Sequence, residues 1–256
     1  MSEPLSLAPS GQRVLVTGAA GGIGRAIVAA LAACDCAVAA CDAVGTVGEV
    51  AGARTHAAFD VRDREACRTA VAEVTERLGG LDAVVANAGV VDTIHRAERF
   101  PGTEWEKDVE TNLSGQFHVV QAAFDALATG RNGRIVLVSS VAAEIGLPGQ
   151  VAYSAAKAGV VGMARTLAGE WGPRGVRCNV VMPGMIGTPK VNALPAPVKE
   201  GLSRSIPLGR IGQVEELAGT VAFLLSPAAA YMNGAIIRVD GGFGLSTGGL
   251  MTGGAE

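Results

Sequence analysis

Seven short runs dominated by Val, Ala, Ile, Leu and Cys recur along this 256-residue chain. They are Arg13–Val16, Ala37–Cys41, Thr55–Phe59, Leu81–Ala86, Arg134–Val138, Val176–Val181 and Ala235–Val239. Longer stretches with helical spacing of apolar residues separate most of them: Gly22–Ala33, Asp63–Arg77, a long one from Thr103 to Ala128 with room for one break, Val151–Trp171 and Val214–Leu225. An apolar strand of this kind has to be covered on both faces, and strand–helix alternation supplies the covering helices. The expected fold is therefore α/β, a doubly wound parallel sheet of about seven strands with helices on both faces. No Ser/Gly/Pro linker divides the chain, so residues 1–256 read as one domain with a short tail over 1–10. The stretch 183–211 is rich in Pro, Gly and Ser and long for a connection, which fits a substrate lid. Residues 246–256 form a Gly-rich tail expected to fray.

Composition excludes several function classes. The net charge is −3 and no basic run occurs, which argues against a nucleic-acid surface. The five cysteines contain no Cys-x-x-Cys pair and no histidine at ligand spacing, so no metal site is expected. Unframed thiols of this kind fit a reducing, cytoplasmic setting. The N-terminus shows no basic region followed by an apolar core, so no signal peptide is expected. The most apolar stretch, Ala26 to Cys41, is interrupted by Asp35 and reads as helix then strand rather than a membrane span.

Two local patterns carry chemistry. After the first strand, Thr17-Gly-Ala-Ala-Gly-Gly-Ile-Gly24 opens a helix, with Gly18, Gly22, Ile23 and Gly24 at the turn. Glycines there let the backbone approach a pyrophosphate, which the free N–H groups of a helix N-terminus attract. This is the dinucleotide-binding arrangement of a Rossmann-type sheet, with the spacing G-x-x-x-G-x-G; an ordinary tight turn would look the same from these residues alone. The second pattern is Tyr153 and Lys157, four residues apart within a helical stretch and so on one helix face. A nearby ammonium is expected to lower the phenol pKa and make it a usable acid/base.

With Asn87-Ala88-Gly89, Ser140 and Pro183-Gly184 in the same order and spacing, the chain resembles the short-chain dehydrogenase/reductase family from about Arg13 to Phe243. It is most similar to the branch of β-ketoacyl carrier-protein reductases and small secondary-alcohol dehydrogenases. The resemblance implies a catalytic set of Asn112, Ser140, Tyr153 and Lys157. In it Ser140 would hold the substrate oxygen and Tyr153 would transfer the proton. Lys157 would bind the nicotinamide ribose, and Asn112 would hold a relay water. Ser139 is the neighbouring candidate, but strand alternation points the two serines opposite ways, and the interval to Tyr153 favours Ser140.

The resemblance also implies cofactor contacts. Asn87, Ala88 and Gly89 would line the adenosine ribose, although Gly89 fits equally a simple turn. Asp60 and Val61 would meet adenine, with a helix N-cap at Asp60 or Asp63 as an equally good reading. Pro183, Gly184, Ile186 and Thr188 would place the nicotinamide carboxamide. Asp42, at the end of the second strand, suits the adenosine ribose hydroxyls and would repel a 2′-phosphate. No Arg or Lys stands in the turn or just after that strand, so NAD(H) is favoured over NADP(H).

The implied activity is interconversion of a secondary alcohol and a ketone. A 3-oxoacyl-carrier-protein reductase is the alternative, and a non-catalytic NAD-binding regulator is a remote one. Ala142, Ala143, Ile145, Leu147, Val151, Met185 and Leu194 suggest an apolar substrate pocket, for a small ketone, a secondary alcohol or an acyl thioester. Arg131 and Arg174 would permit docking of an acidic carrier. His56 and His95 read as surface residues and His118 as helix packing. The stripe Leu113, Phe117, Val120, Phe124, Leu127, with Val160, Met163, Ala164 and Leu167, suggests helices paired between subunits of a homotetramer, a dimer of dimers. The same stripes would serve equally to cover the sheet.

Overall fold

The computed structural model describes residues 6–43, 45, 48, 50–130 and 132–245. Seven parallel strands form one sheet: β1 Arg13–Thr17, β2 Ala37–Asp42, β3 Thr55–Ala58, β4 Ala83–Ala86, β5 Gly133–Val138, β6 Val176–Pro183 and β7 Ile236–Val239. Their spatial order is β3-β2-β1-β4-β5-β6-β7. The chain winds outward one way from β1, returns, and winds the other way from β4. That reversal leaves a crevice at the carboxyl ends of β1 and β4. The expected α/β doubly wound sheet is present. The N-terminal residues 1–5, Arg131 and the Gly-rich tail 246–256 lie outside the described residues.

The two faces follow from strand alternation. Leu15 in β1 faces a core shared with α2 (Arg64–Leu78), while Val14 and Val16 face α1 (Gly22–Ala32). A long helical stretch begins as α3, Gly102–Val109, passes through a π-turn at Glu110–Ser114, and continues as α4, Gly115–Thr129. With α2 it covers one face beside Val84, Leu137 and Val180. A short helix α5, Ala142–Ile145, leads to α6, Val151–Trp171, on the same face. The stretch 183–211 contains α7, Pro189–Asn192, and α8, Ala196–Arg204. Finally α9, Val214–Leu225, covers the opposite face next to α1.

The π-turn changes one expectation. On α4 the fully buried residues include Val119, Val120, Ala123 and Leu127, while Phe117 is exposed and Leu113 and Phe124 are half-buried. The extra residue of a π-turn rotates the downstream face, so only part of the expected stripe lies against the sheet. On α6, Val160, Ala164 and Leu167 are buried in the core.

Candidate active site

A cleft of about 1200 Å³ opens at the carboxyl edge of the sheet. That exceeds the volume of roughly 300–1,000 Å³ usual for one small ligand and leaves room for a dinucleotide beside a substrate. All the cofactor positions expected from sequence line it: Gly18, Gly22, Ile23, Gly24, Asp42, Asp60, Val61, Asn87, Ala88, Gly89, Pro183, Gly184, Ile186 and Thr188. Asn112, Ser140, Tyr153 and Lys157 line it too.

One end of the cleft is a backbone cradle. Gly18 has φ +63°, and a Cβ there would stand 2.8 Å from the Ala88 Cα. A Cβ on Gly24 would collide with the Gly18 carbonyl oxygen, and one on Gly22 would meet Pro189 Cδ at 2.7 Å. Thr17, which sequence reasoning passed over, ties the turn to β4: its hydroxyl accepts from the Asn87 and Ala88 N–H groups, each at 3.1 Å. The Asn87 amide donates back to the carbonyls of Thr17 (3.0 Å) and Gly18 (3.1 Å). No side chain caps the N-terminus of α1 and no acid stands in its first turn. Its amide groups and dipole therefore face the cleft ready for an anion, and the cradle fits a pyrophosphate.

Asp42 is held beside this turn. Its carboxylate accepts from the Ala20 N–H and the Ala43 N–H, both at 2.8 Å. These two bonds orient the acid at the edge of the cleft beside the glycine turn. Asp60 is clamped by Arg62, whose Nε donates to both carboxylate oxygens at 2.9 and 3.0 Å. This guanidinium lowers the Asp60 pKa. The open reading of a helix cap resolves at Asp63, which accepts from the Glu65 and Ala66 N–H groups at the start of α2. Val61 is buried and its carbonyl meets His118 Nδ1 at 3.0 Å, so the histidine links α4 to the segment after β3. His56 is half-buried and accepts from the Val50 N–H at 3.1 Å, which corrects its reading as a plain surface residue.

The other end of the cleft is made of side chains. Asn112 sits in the π-turn, fully buried. Its amide donates to the Val90 carbonyl (2.9 Å) and the Asp108 carbonyl (3.0 Å), and its oxygen accepts from the Val90 N–H (3.1 Å). Gly89 is no mere turn residue: a Cβ there would stand 2.6 Å from Asn112 Oδ1 and 3.3 Å from Lys157 Nζ. Ser139 donates to the Lys157 carbonyl at 2.8 Å and so anchors α6. Ser140 lines the cleft beside Tyr153, and its Oγ accepts from the Ala142 N–H at 3.2 Å. Lys157 is buried, with Nζ 2.9 Å from the Val138 carbonyl and 5.7 Å from the centre of the Tyr153 ring.

The charge states correct one expectation. Burial raises the Tyr153 pKa, the Ser140 hydrogen bond opposes that rise, and the Asp108 charge adds to it. Lys157 is not among the groups that shift the phenol. Burial drives its own pKa down to about 7, and its nitrogen is turned to a backbone carbonyl. Helical spacing alone thus does not give a lowered tyrosine pKa; desolvation of both groups dominates.

Around the hydride end, Leu147, Met185 and Leu194 line the cleft as expected. Ala142 is buried in the fold, and Ile145 and Val151 are exposed outside the lining. Their places are taken by Val141, Leu202 and Phe243, with Gln150 among them. Lys190 of α7 bridges to Asp92 at 2.7 Å and ties α7 to the loop after β4. Arg174 stacks on Phe124, 5.3 Å from its ring centre. Among the described residues no cluster of His, Cys, Asp and Glu suits a metal, and no helix is long and apolar enough to cross a membrane.

Comparison with known proteins agrees with this geometry. A family model described as enoyl-(acyl carrier protein) reductase matches residues 18–244. The chain belongs to the short-chain dehydrogenase/reductase family. It is 40% identical over 248 residues to the (3R)-3-hydroxyacyl-CoA dehydrogenase of Mus musculus, covering 89% of this chain and 94% of the relative. It is 38% identical over 245 residues to the 3-oxoacyl-(acyl-carrier-protein) reductase FabG of Thermotoga maritima, covering 91% and 97%. The solved structure of levodione reductase matches with a TM-score of 0.85 at 33% identity, over 91% of this chain and 97% of that one. This member of the family is an oxidoreductase of the ketone–alcohol class and is ketoacyl-reductase-like.

Proposed function

We propose that this chain moves a hydride between NAD(H) and a small uncharged ketone or secondary alcohol, with Tyr153 handling the proton. The observation that carries the reading is that Ser140, Tyr153 and Lys157 line the same cleft as the glycine cradle and Asp42. Bound nicotinamide supplies or takes the hydride. Gly18, Gly22, Ile23 and Gly24 would hold the pyrophosphate, Asp42 the adenosine ribose, and Pro183, Gly184, Ile186 and Thr188 the carboxamide end. Asp60, Val61, Asn87, Ala88 and Gly89 would complete the adenosine wall.

In reduction, Ser140 Oγ–H donates to the substrate carbonyl oxygen, and Tyr153 Oη delivers its proton to that oxygen as it gains charge. In oxidation the Tyr153 phenolate takes the hydroxyl proton. Lys157 Nζ, 5.7 Å from the centre of the Tyr153 ring, would hold the nicotinamide ribose and return a proton towards the phenol. Asn112 leaves one lone pair on Oδ1 for a water beside Lys157. The raised Tyr153 pKa suits the proton-donor role at neutral pH.

A second reading, reduction of a 3-oxoacyl group on a carrier or coenzyme thioester, is favoured by the activities named for the mouse and Thermotoga relatives. Initial rates with NADH and NADPH against simple ketones, diketones and 3-oxoacyl thioesters separate the two. The first reading expects preference for NADH and good turnover of simple ketones. Preference for NADPH overturns the role of Asp42, and turnover confined to 3-oxoacyl thioesters makes the second reading the right one. We also infer a cytoplasmic homotetramer, supported by five free thiols and by the exposed Phe117 on α4. Light scattering expects four chains of 25.8 kDa each.

A further inference from the structure

Gln116 is a buried polar side chain that the chemistry described so far does not use. It follows Asn112 by four residues, in the first turn of α4 after the π-turn, and is only 2% exposed. Its Nε2 donates to the Val138 carbonyl at 3.0 Å. Lys157 Nζ donates to the same oxygen at 2.9 Å. Val138 ends β5, one residue beyond Leu137, the last position at which β5 pairs with β4. Its carbonyl therefore stands at a strand end beside the cleft that Val138 lines. A carbonyl oxygen has two lone pairs. Here an amide from α4 and an amine from α6 both draw on them.

Packing does not call for an amide at this position. The other large buried residues of α4, Val119, Val120 and Leu127, are apolar. The Gln116 amide oxygen is buried without a donor, and a buried polar atom left unpaired opposes folding. An apolar side chain of the same length would avoid that penalty. Beside a carbonyl only the nitrogen end of the amide can make the bond, which fixes its orientation. The amide thus places a second positive hydrogen on the oxygen that holds Lys157. Two donors on one acceptor repel each other, and each is held less tightly. Lys157 is 3% exposed, and burial is the one cause that shifts its pKa, down to about 7. Of the ionisable groups on elements packed against α6, Asp108 is the one buried residue of α3, and its charge acts on Tyr153. Glu144 of α5 is paired with Arg238, and Arg174 stacks on Phe124.

We propose that Gln116 is a positioning residue for Lys157: by sharing the Val138 carbonyl it keeps the hold of that oxygen on the lysine loose, so that Lys157 Nζ can turn to an arriving nicotinamide ribose. Asn112 and Gln116 then attend the same lysine from one helical stretch. A Cβ on Gly89 would stand 2.6 Å from Asn112 Oδ1 and 3.3 Å from Lys157 Nζ, so the asparagine and the lysine meet at one point, while Gln116 reaches the lysine through Val138. The inference rests on the reading of Lys157 as the group that holds the ribose. It adds a residue outside the cleft lining that sets how firmly that group is held.

The test compares wild type, Gln116→Met and Val119→Ala by NADH fluorescence titration and by melting temperature against pH. Methionine keeps the length of the side chain and removes the donor. With Val138 to itself, the lysine is held more tightly, so the NADH Kd of Gln116→Met is expected to rise about three- to tenfold, with kcat at saturating NADH within about threefold of wild type. In the cofactor-free protein, stability from Lys157 rises with pH from its folded pKa of about 7. In Gln116→Met that rise should begin about half a unit to one unit higher, because a lysine alone on its carbonyl keeps its proton longer. Val119→Ala, a loss of packing on the same helix, should lower the melting temperature and move neither quantity. Gln116→Leu gives the same result as Gln116→Met if the latter folds poorly. An NADH Kd and an onset that both stay at the wild-type values overturn the proposal and leave Gln116 a packing residue. Tighter NADH binding, or an onset at lower pH, overturns it in sign. Wild type that binds no NADH overturns the reading of the cleft itself, and the inference falls with it.

Discussion

The two ends of the cleft are built from different material. The pyrophosphate end is backbone: glycines whose missing Cβ atoms let β1, α1 and β4 close on one another, stitched by Thr17 and Asn87. The hydride end is side chains, Asn112, Ser140, Tyr153 and Lys157, whose charge and hydrogen bonding are set by burial. The first end depends on what is absent, the second on functional groups in a stated protonation state. The two should therefore fail separately when mutated.

Tyr153→Phe is the strongest test of that separation. It removes the proton relay, so kcat should fall by about a thousandfold, while fluorescence titration shows NADH affinity unchanged. A parallel loss of NADH binding would break the distinction. Gly24→Ala does the opposite. Its Cβ has no room against the Gly18 carbonyl, so NADH should bind at least about tenfold more weakly, with kcat at saturating NADH changed far less.

Asp42→Ser should raise the NADPH-to-NADH ratio of kcat/KM about tenfold, because a carboxylate no longer opposes the 2′-phosphate. The ranking of ketones should not move. Lys157 gives a test in stability. Its folded pKa of about 7 lies below the unfolded value of 10.5, so the unfolded chain binds more protons between those values. Stability from this group rises with pH from about 7 towards 10.5 and is lost as pH falls through 7. Lys157→Met should flatten that rise in melting temperature for the cofactor-free protein. The smallest effect expected is for Arg174→Ala, about 0.5–1 kcal/mol from loss of stacking on Phe124, with unchanged kinetics.

The backbone end was the more legible from sequence. Glycines at fixed intervals after an apolar strand admit few arrangements, and Gly18, Gly22 and Gly24 each meet a close neighbour in the fold. Asn112, Ser140, Tyr153 and Lys157 were legible through their spacing and order. Their charge states were not, because desolvation depends on everything packed around α6. The phase of α4 was illegible for another reason. A π-turn leaves no mark in composition, so Phe117 was placed on a face that Val119 and Ala123 occupy, while Leu113 does pack against the core. The substrate wall is assembled from distant segments. Lys190 meets Asp92 from 98 positions away, and Phe243 arrives from beyond β7.

At Gly22 the nucleotide cradle presses directly on Pro189, the first residue of α7. The turn that follows β1 and the short helix that follows β6 therefore share one contact, and any side chain added at position 22 would push the two segments apart.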